Sequence, residues 1–350
     1  MKKREVWLDV LRILAAFLVI VNHTNSDVFQ SVTPENGTWW LSIAWYAFCK
    51  VAVPVFVMIS GSVLLGRLDS RDRSVMRTAR TLGALLVFSY LYYLHDAWVN
   101  YGLWPRALRL DLFMFEVWEM SIADSFWYLY FYLGLMILLP VLQRLSCTLT
   151  DRQAGWLTGI MLGLGAGWPM LVHFVPSLAL PVVSLLTKIC TMLGLFFAGW
   201  RLRRACKPRH ALPWLMVLAA SVLLSVSLLH TEYLRLEGTG KYWAFMDDRL
   251  QPSLPVVIGA ISLFLFIRGL FDRPMGEKMQ RFWTELGGSA FGIYLLQQWV
   301  IAQTEFRLFL PMCNILPAFP AVIVWEMIVF IICLIAAMIM RRIPLLKKIV

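Results

Sequence analysis

The sequence predicts an all-α, polytopic integral membrane protein of about ten transmembrane helices, with both chain ends on the cytoplasmic side. Three observations carry this expectation. Of 350 residues, 60% are hydrophobic and 15% charged, and mean hydropathy is +0.70; soluble domains lie nearer half apolar and a quarter charged. The apolar residues fall into ten runs of bilayer-spanning length. The lysines and arginines between those runs alternate in number from one connection to the next, which sets orientation in a membrane.

The ten runs cover residues 6–26, 43–65, 81–99, 126–145, 154–173, 183–200, 212–230, 254–271, 287–304 and 318–340. No internal repeat and no Ser/Gly-rich linker divides them, and the longest connections are roughly 20–25 residues. One membrane domain over residues 1–350 is therefore expected. The first run is longer than a signal-peptide core and is not closed by a small-residue cleavage site, so it is expected to stay as the first span.

With the N-terminus inside, the inner segments hold 23 of the 32 lysines and arginines, the outer segments six, and the spans themselves three. Trp39, Trp40, Trp104 and Trp118 fall in or beside outer connections, where an interfacial aromatic belt is expected. The net charge of +11 sits in short clusters rather than in a basic groove with interleaved aromatics, which argues against nucleic acid as a partner. Six cysteines lack CxxC or CxH spacing, so neither a metal site nor a disulfide framework is expected.

The first span, "LDVLRILAAFLVIVNH" (8–23), carries Asp9, Arg12 and His23. Charged groups in such a helix are costly unless paired or hydrated. Eleven residues separate Arg12 from His23, a turn of about 1100° that ends about 20° past three full revolutions, with a rise of roughly 16 Å. The two side chains therefore share one helix face, near opposite ends. Asp9 lies one turn below Arg12 and is spaced to pair with it. Lys50 sits just inside the second span on the outer side, at about the depth of His23. The arrangement suits a hydrated passage; the competing readings are an orientation anchor for Arg12 with Asp9, a water-satisfied interfacial His23 and a snorkelling Lys50.

The Arg-x10-His pair resembles the acyltransferase-3 family of integral membrane acyltransferases, of the bacterial surface-glycan O-acetylating type without a fused soluble domain. "KVAVPVFVMISGSVLLGR" (50–67), "FWYLYFYLGLMILLPVLQRL" (126–145), "LGLFFAGWRL" (193–202), "SAFGIYLLQQ" (289–298) and "RRIPLLKKIV" (341–350) are similar to that family's segments in order and spacing. The sequence departs from the family pattern at Ser125-Phe126 and at Gln297, where family members often carry histidine.

The resemblance implies a multi-pass enzyme of the cell inner (cytoplasmic) membrane. Its donor is acyl-coenzyme A, with acetyl the default acyl group, and its acceptor is a hydroxyl of an extracytoplasmic or lipid-linked glycan. Arg77-x-x-Arg80 in the inner connection "RLDSRDRSVMRTAR" (67–80) matches the element proposed to hold coenzyme A, with help from Arg73. Guanidinium groups suit phosphates through charge-assisted bidentate hydrogen bonds, and at i, i+3 the pair shares a helix face. The basic inner connection is equally what the orientation rule demands of any membrane protein. His23 is the expected general base, since a neutral imidazole suits proton removal near pH 7, with Arg12 and Asp9 beside it in the catalytic set. Lys50, Trp127, Tyr128, Tyr294, Gln297 and Glu326 are the expected substrate-binding residues. His95 is the rival histidine, while His173 and His230 have no obvious partner in the sequence. A transporter or flippase of polysaccharide intermediates is the alternative, against which stands the lack of an inverted repeat or paired broken spans.

Overall fold

In the computed structural model, the described residues are 5–25, 28, 33–101, 104–206, 208–235, 252–344 and 346–349. All ten expected spans lie in helices, and no strand occurs among the described residues. Lys2, Lys3, Arg4, Lys207, Lys241 and Arg249, counted in the charge bias, lie outside that set, as does the side chain of Trp104.

Helix α1 (Val6–Thr24) is apolar around its whole circumference apart from Asp9 and Arg12 near its start and Asn22, His23 and Thr24 at its end. A helix apolar on every side belongs in the interior, and Trp7, Leu11, Leu18, Ile20 and Val21 are all fully buried. It packs against α2 (Gly37–Cys49), α3 (Ala52–Leu64) and three later helices. The second expected span is thus two helices, broken at Lys50 and Val51.

Next in order come α4 (Arg71–Tyr101), the short α5 (Leu110–Trp118) and α6 (Trp127–Thr148). The fifth span is α7 (Asp151–Leu162), a π-type turn over Gly163–Gly167 and α8 (Trp168–Phe174). Then follow α9 (Pro181–Ala205), α10 (Leu212–Arg235), α11 (Leu254–Phe271), α12 (Glu277–Thr304) and α13 (Ala318–Met340). Eight helices or helix pairs are long and apolar enough to cross a membrane on length and composition alone. The other two expected spans lie in α4 and α12, which are long enough but more polar. Tyrosines and His95 enter α4; Gln297, Gln298 and Gln303 enter α12.

Two glycine contacts fix how closely the helices approach. A Cβ on Gly61 of α3 would lie 1.8 Å from the carbonyl oxygen of Phe196, and one on Gly199 of α9 would lie 1.9 Å from that of Met58. The backbones of α3 and α9 therefore touch, as small residues allow when helices pack in lipid without a hydrophobic driving force. On the other side of α1, a Cβ on Gly287 of α12 would stand 2.5 Å from Cβ of Asp9.

These contacts also give direction. Asp9 faces Gly287, while Thr24 reaches Glu326 of α13 and Trp325 of α13 reaches Thr304. Helices α1 and α12 thus run parallel, with α13 antiparallel to both. The end carrying Asp9, Arg203 and Arg341 is called the basic end below, and the end carrying Thr24 and Thr304 the far end. Of the belt tryptophans, Trp118 is exposed and Trp40 partly so, but Trp39 is buried against Trp40, His230 and Tyr233.

Candidate active site

A cavity of about 830 Å³ opens beside α1 at the basic end, within the size range of small-molecule pockets. Arg12 from α1, Arg77 and Arg80 from α4, and Arg203 from α9 line its mouth, with Glu5 among them. Its deep part is aromatic, with Phe56, Tyr128, Tyr132, Phe291 and Tyr294 on the walls and the Ser60 hydroxyl within reach of Tyr128 and Tyr132. Tyr128 and Tyr132, one turn apart on α6, stack at 6.0 Å, and Tyr128 meets Tyr294 edge-on at 5.8 Å. Tyr294 closes the deep end by donating to the carbonyl oxygen of Ser125 at 2.5 Å. The site therefore grades from cationic at the rim to neutral and hydroxyl-bearing inside.

Each arginine is positioned by a carboxylate or carbonyl. Arg12 Nη1 lies 2.5 Å from Asp9 Oδ1; the carboxylate is fully buried and the guanidinium 27% exposed. Arg203 holds Glu5 with Nε and Nη2 at 2.7–3.2 Å and donates to the Ser62 carbonyl through Nη1. Burial disfavours ionisation of Glu5, but the Arg203 hydrogen bonds and charge outweigh it and keep the carboxyl below its ordinary pKa. Arg77 pairs with Asp69, in the connection between α3 and α4.

Asp69 is the centre of the rim. It accepts from Arg77, from Arg73 at 3.1 Å and from Gln143 Nε2 at 2.7 Å, and Arg67 lies 3.8 Å away. Gln143 also donates to the Leu64 carbonyl and accepts from the Asp69 amide, clamping the connection to α6. Burial pushes the Asp69 pKa up, and the Gln143 and arginine hydrogen bonds push it down further, to about 2. Arg80 donates Nε to the carbonyl oxygen of Ile349, so the C-terminal residues lie across one edge of the mouth.

At the far end of α1 a polar cluster surrounds the stretch Asn22-His23-Thr24-Asn25. Asn25 and Ser42 exchange hydrogen bonds, Cys49 lies 3.8 Å from Asn22, and Thr24 and Trp45 both donate to the buried Glu326, at 3.0 and 2.9 Å. Glu326, unpaired on sequence alone, thus bridges α1, α2 and α13. His23 is half-buried, and Lys50 lies over the Tyr46 ring at 4.1 Å.

Of the residues expected from sequence, Arg12, Arg77, Arg80, Tyr128 and Tyr294 line the one cavity, with Asp9 directly behind Arg12. Arg73 sits on the rim through Asp69. His23, Lys50 and Glu326 belong to the far-end cluster, and Trp127 and Gln297 flank the cavity's closed end without lining it. Ala16 and Val19, on the face of α1 shared by Arg12 and His23, are buried between the two. The rival His95 lies 3.1 Å from Gln303, and His173 pairs with Glu232 at 3.1 Å. The six cysteines are free, and no cluster of metal-ligating side chains occurs among the described residues.

Sequence reading missed Glu5, Asp69, Tyr132, Gln143 and Arg203. Tyr132 was within reach, since it follows Tyr128 by four residues and shares its face. Arg203 was read only as part of an inner basic cluster, and its partner Glu5 lies 198 residues away.

A helical bundle with eight helices or helix pairs of membrane-crossing length, enclosing a basic-mouthed, aromatic-lined cavity, defines an all-α polytopic membrane protein. The family profile described as "Acyltransferase domain", acyltransferase-3, matches residues 5–342. The chain belongs to that family. It is also 27% identical over 190 residues to an amino-acid racemase of Enterococcus faecalis; the match takes in 51% of this chain and 25% of that protein. The chain thus spans about a quarter of the length of that curated relative. No solved structure matches.

Proposed function

We propose that the protein moves an acyl group, acetyl by default, from cytoplasmic acyl-coenzyme A to a hydroxyl of an extracytoplasmic or lipid-linked glycan in the cell inner membrane. One observation carries this reading: four arginines, Arg12, Arg77, Arg80 and Arg203, ring the mouth of a cavity whose interior is neutral and aromatic. Such a gradient fits a donor with a polyanionic nucleotide head and a long, uncharged arm. Arg77 and Arg80 take the phosphates, while the arm runs past Arg12 towards Tyr128 and Tyr294.

The acceptor approaches from the far end. There His23 takes the proton of the attacking hydroxyl, and Lys50 stabilises negative charge near it. Because the Arg12 face of α1 continues to His23, the thioester has to pass the level of Ala16 and Val19 before it reaches the imidazole.

Binding of acetyl-CoA to the purified protein tests the reading. Saturable binding that weakens at least tenfold in Arg77→Ala/Arg80→Ala, with the melting temperature unchanged, is the expected outcome. Equal binding by wild type and double variant, or none by either, removes the donor site and leaves a transport role as the better account.

A further inference from the structure

We propose that the side-chain amide of Gln297 is the hydrogen-bond donor for the acyl carbonyl oxygen during transfer, a role that rests on the donor reading above. Gln297 is fully buried, and neither its amide nitrogen nor its oxygen has a hydrogen-bond partner among the described residues. Buried amides are almost always satisfied. Leaving all of one unpaired forfeits its hydration with no return, so an orphan of this kind marks either a functional group or a missing ligand.

Its position says which. Tyr294, one turn earlier on α12, lines the deep end of the cavity. With Asp9 level with Gly287 and the two helices parallel, Gln297 stands at the level of about residue 19 of α1, roughly 6 Å short of His23 along the axis. Along the axis the orphan amide therefore stands at a level between Tyr294, at the end of the donor cavity, and the expected base. A second orphan lies beside this turn of α12. Ser125 is held on this turn by Tyr294, which donates to its carbonyl, and by Gln298, which accepts from its amide at 2.8 Å. Its own hydroxyl is buried and has no hydrogen-bond partner among the described residues.

The chemistry requires a donor there. The acceptor oxygen attacks the thioester carbonyl carbon while His23 takes its proton, and the carbonyl oxygen becomes an oxyanion. When the tetrahedral intermediate collapses, the C–S bond breaks, the acyl ester remains on the acceptor, and the thiolate leaves as free thiol with the proton from His23. Groups already aimed at the oxyanion speed such a step because they need no reorganisation. The Nε2–H of Gln297 supplies that interaction, and Ser125 Oγ supplies a second.

The test is Gln297→Met, which keeps the side chain's length and removes its polarity. Inverted membrane vesicles carrying the full-length protein receive radiolabelled acetyl-CoA, and label entering glycan is counted; acetyl-CoA affinity and melting temperature are measured on the purified variant. The expected result is a loss of about 100- to 1000-fold in transfer, as for removal of an oxyanion donor. Affinity should change less than twofold and melting temperature should hold or rise. Ser125→Ala should give a smaller loss of the same kind. Full transfer by a folded Gln297→Met variant overturns the proposal. So does a loss of affinity equal to the loss of transfer, which makes Gln297 a ground-state contact. If Gln297→Met does not fold, Gln297→Asn, which retracts the amide by one methylene, is read in the same way. A wild-type protein that fails to bind acetyl-CoA sinks the donor reading and this role with it, whereas binding with normal transfer by the variant sinks this role alone.

Discussion

Asp9 and Arg12 form a pair in which the acid is sealed inside the bundle and the base faces the cavity, 2.5 Å apart. The geometry answers the energetic question posed by two charges in an apolar helix. Neither faces lipid, and Asp9 is shielded by Gly287 of α12, whose missing side chain makes room for it. Breaking a buried pair by removing one partner is far worse than replacing both. Arg12→Ala should cost about 3–5 kcal/mol, whereas Asp9→Asn/Arg12→Gln should cost much less. Denaturation in mixed detergent decides it: a single variant as stable as the double variant contradicts the pairing. The double variant should still lose transfer, since the cavity wall then carries no charge at that level.

The Asp69 hub should be visible in acid. Its folded pKa, about 2, lies below the ordinary 3.8, so the carboxylate contributes stability that is complete above about pH 4 and is lost as the pH falls from there towards 2. Asp69→Asn should flatten that limb of the stability curve and leave the region above pH 5 merely lowered. Melting curves across pH 2–6 provide the check, and an unchanged acid limb in the variant contradicts it. Donor affinity should also fall, because Arg77 loses the group that positions it.

Gly287→Ala would drive a methyl group to 2.5 Å from Asp9 Cβ and 2.9 Å from its carbonyl oxygen. Overpacking of this kind costs typically about 1–3 kcal/mol. Gly61→Ala, whose Cβ would fall 1.8 Å from a backbone carbonyl that has no freedom to move, should be worse and should lower the yield of folded protein. The order of the two melting temperatures is the measurement, and an ordinary melting temperature for Gly61→Ala contradicts the close crossing of α3 and α9.

Glu326 holds three helices together through Thr24 and Trp45. Glu326→Leu leaves the half-buried Trp45 Nε1–H and the buried Thr24 hydroxyl without their acceptor, at a cost of about 1–3 kcal/mol, while Glu326→Gln retains one carbonyl oxygen and should cost less. A leucine variant as stable as wild type would show that the bridge contributes nothing.

Much of this was legible in the sequence, and the reasons differ by residue. Bilayer-length apolar runs gave every span, because length and hydropathy are local properties. The periodicity of α1 put Arg12 and His23 on one face and Asp9 next to Arg12, which needs only 3.6 residues per turn. The break at Lys50 and Val51 was not legible, since "FCKVAVP" is apolar on both sides of its single charge. Nor were the Glu5–Arg203 and Asp69–Gln143 pairs, which join segments far apart in the chain by contacts with no local signature. The depth at which the cavity ends was hidden as well. It is set by Tyr294 meeting Ser125, a contact between two helices 169 residues apart.

On the proposed function, the cavity at the basic end and His23 at the far end serve one reaction. The most direct measurement pairs acetyl-CoA affinity with label transfer to glycan in His23→Ala. The expected result is wild-type affinity and melting temperature with transfer reduced to background. Transfer at the wild-type rate by the folded variant would contradict the claim and separate the imidazole from the chemistry.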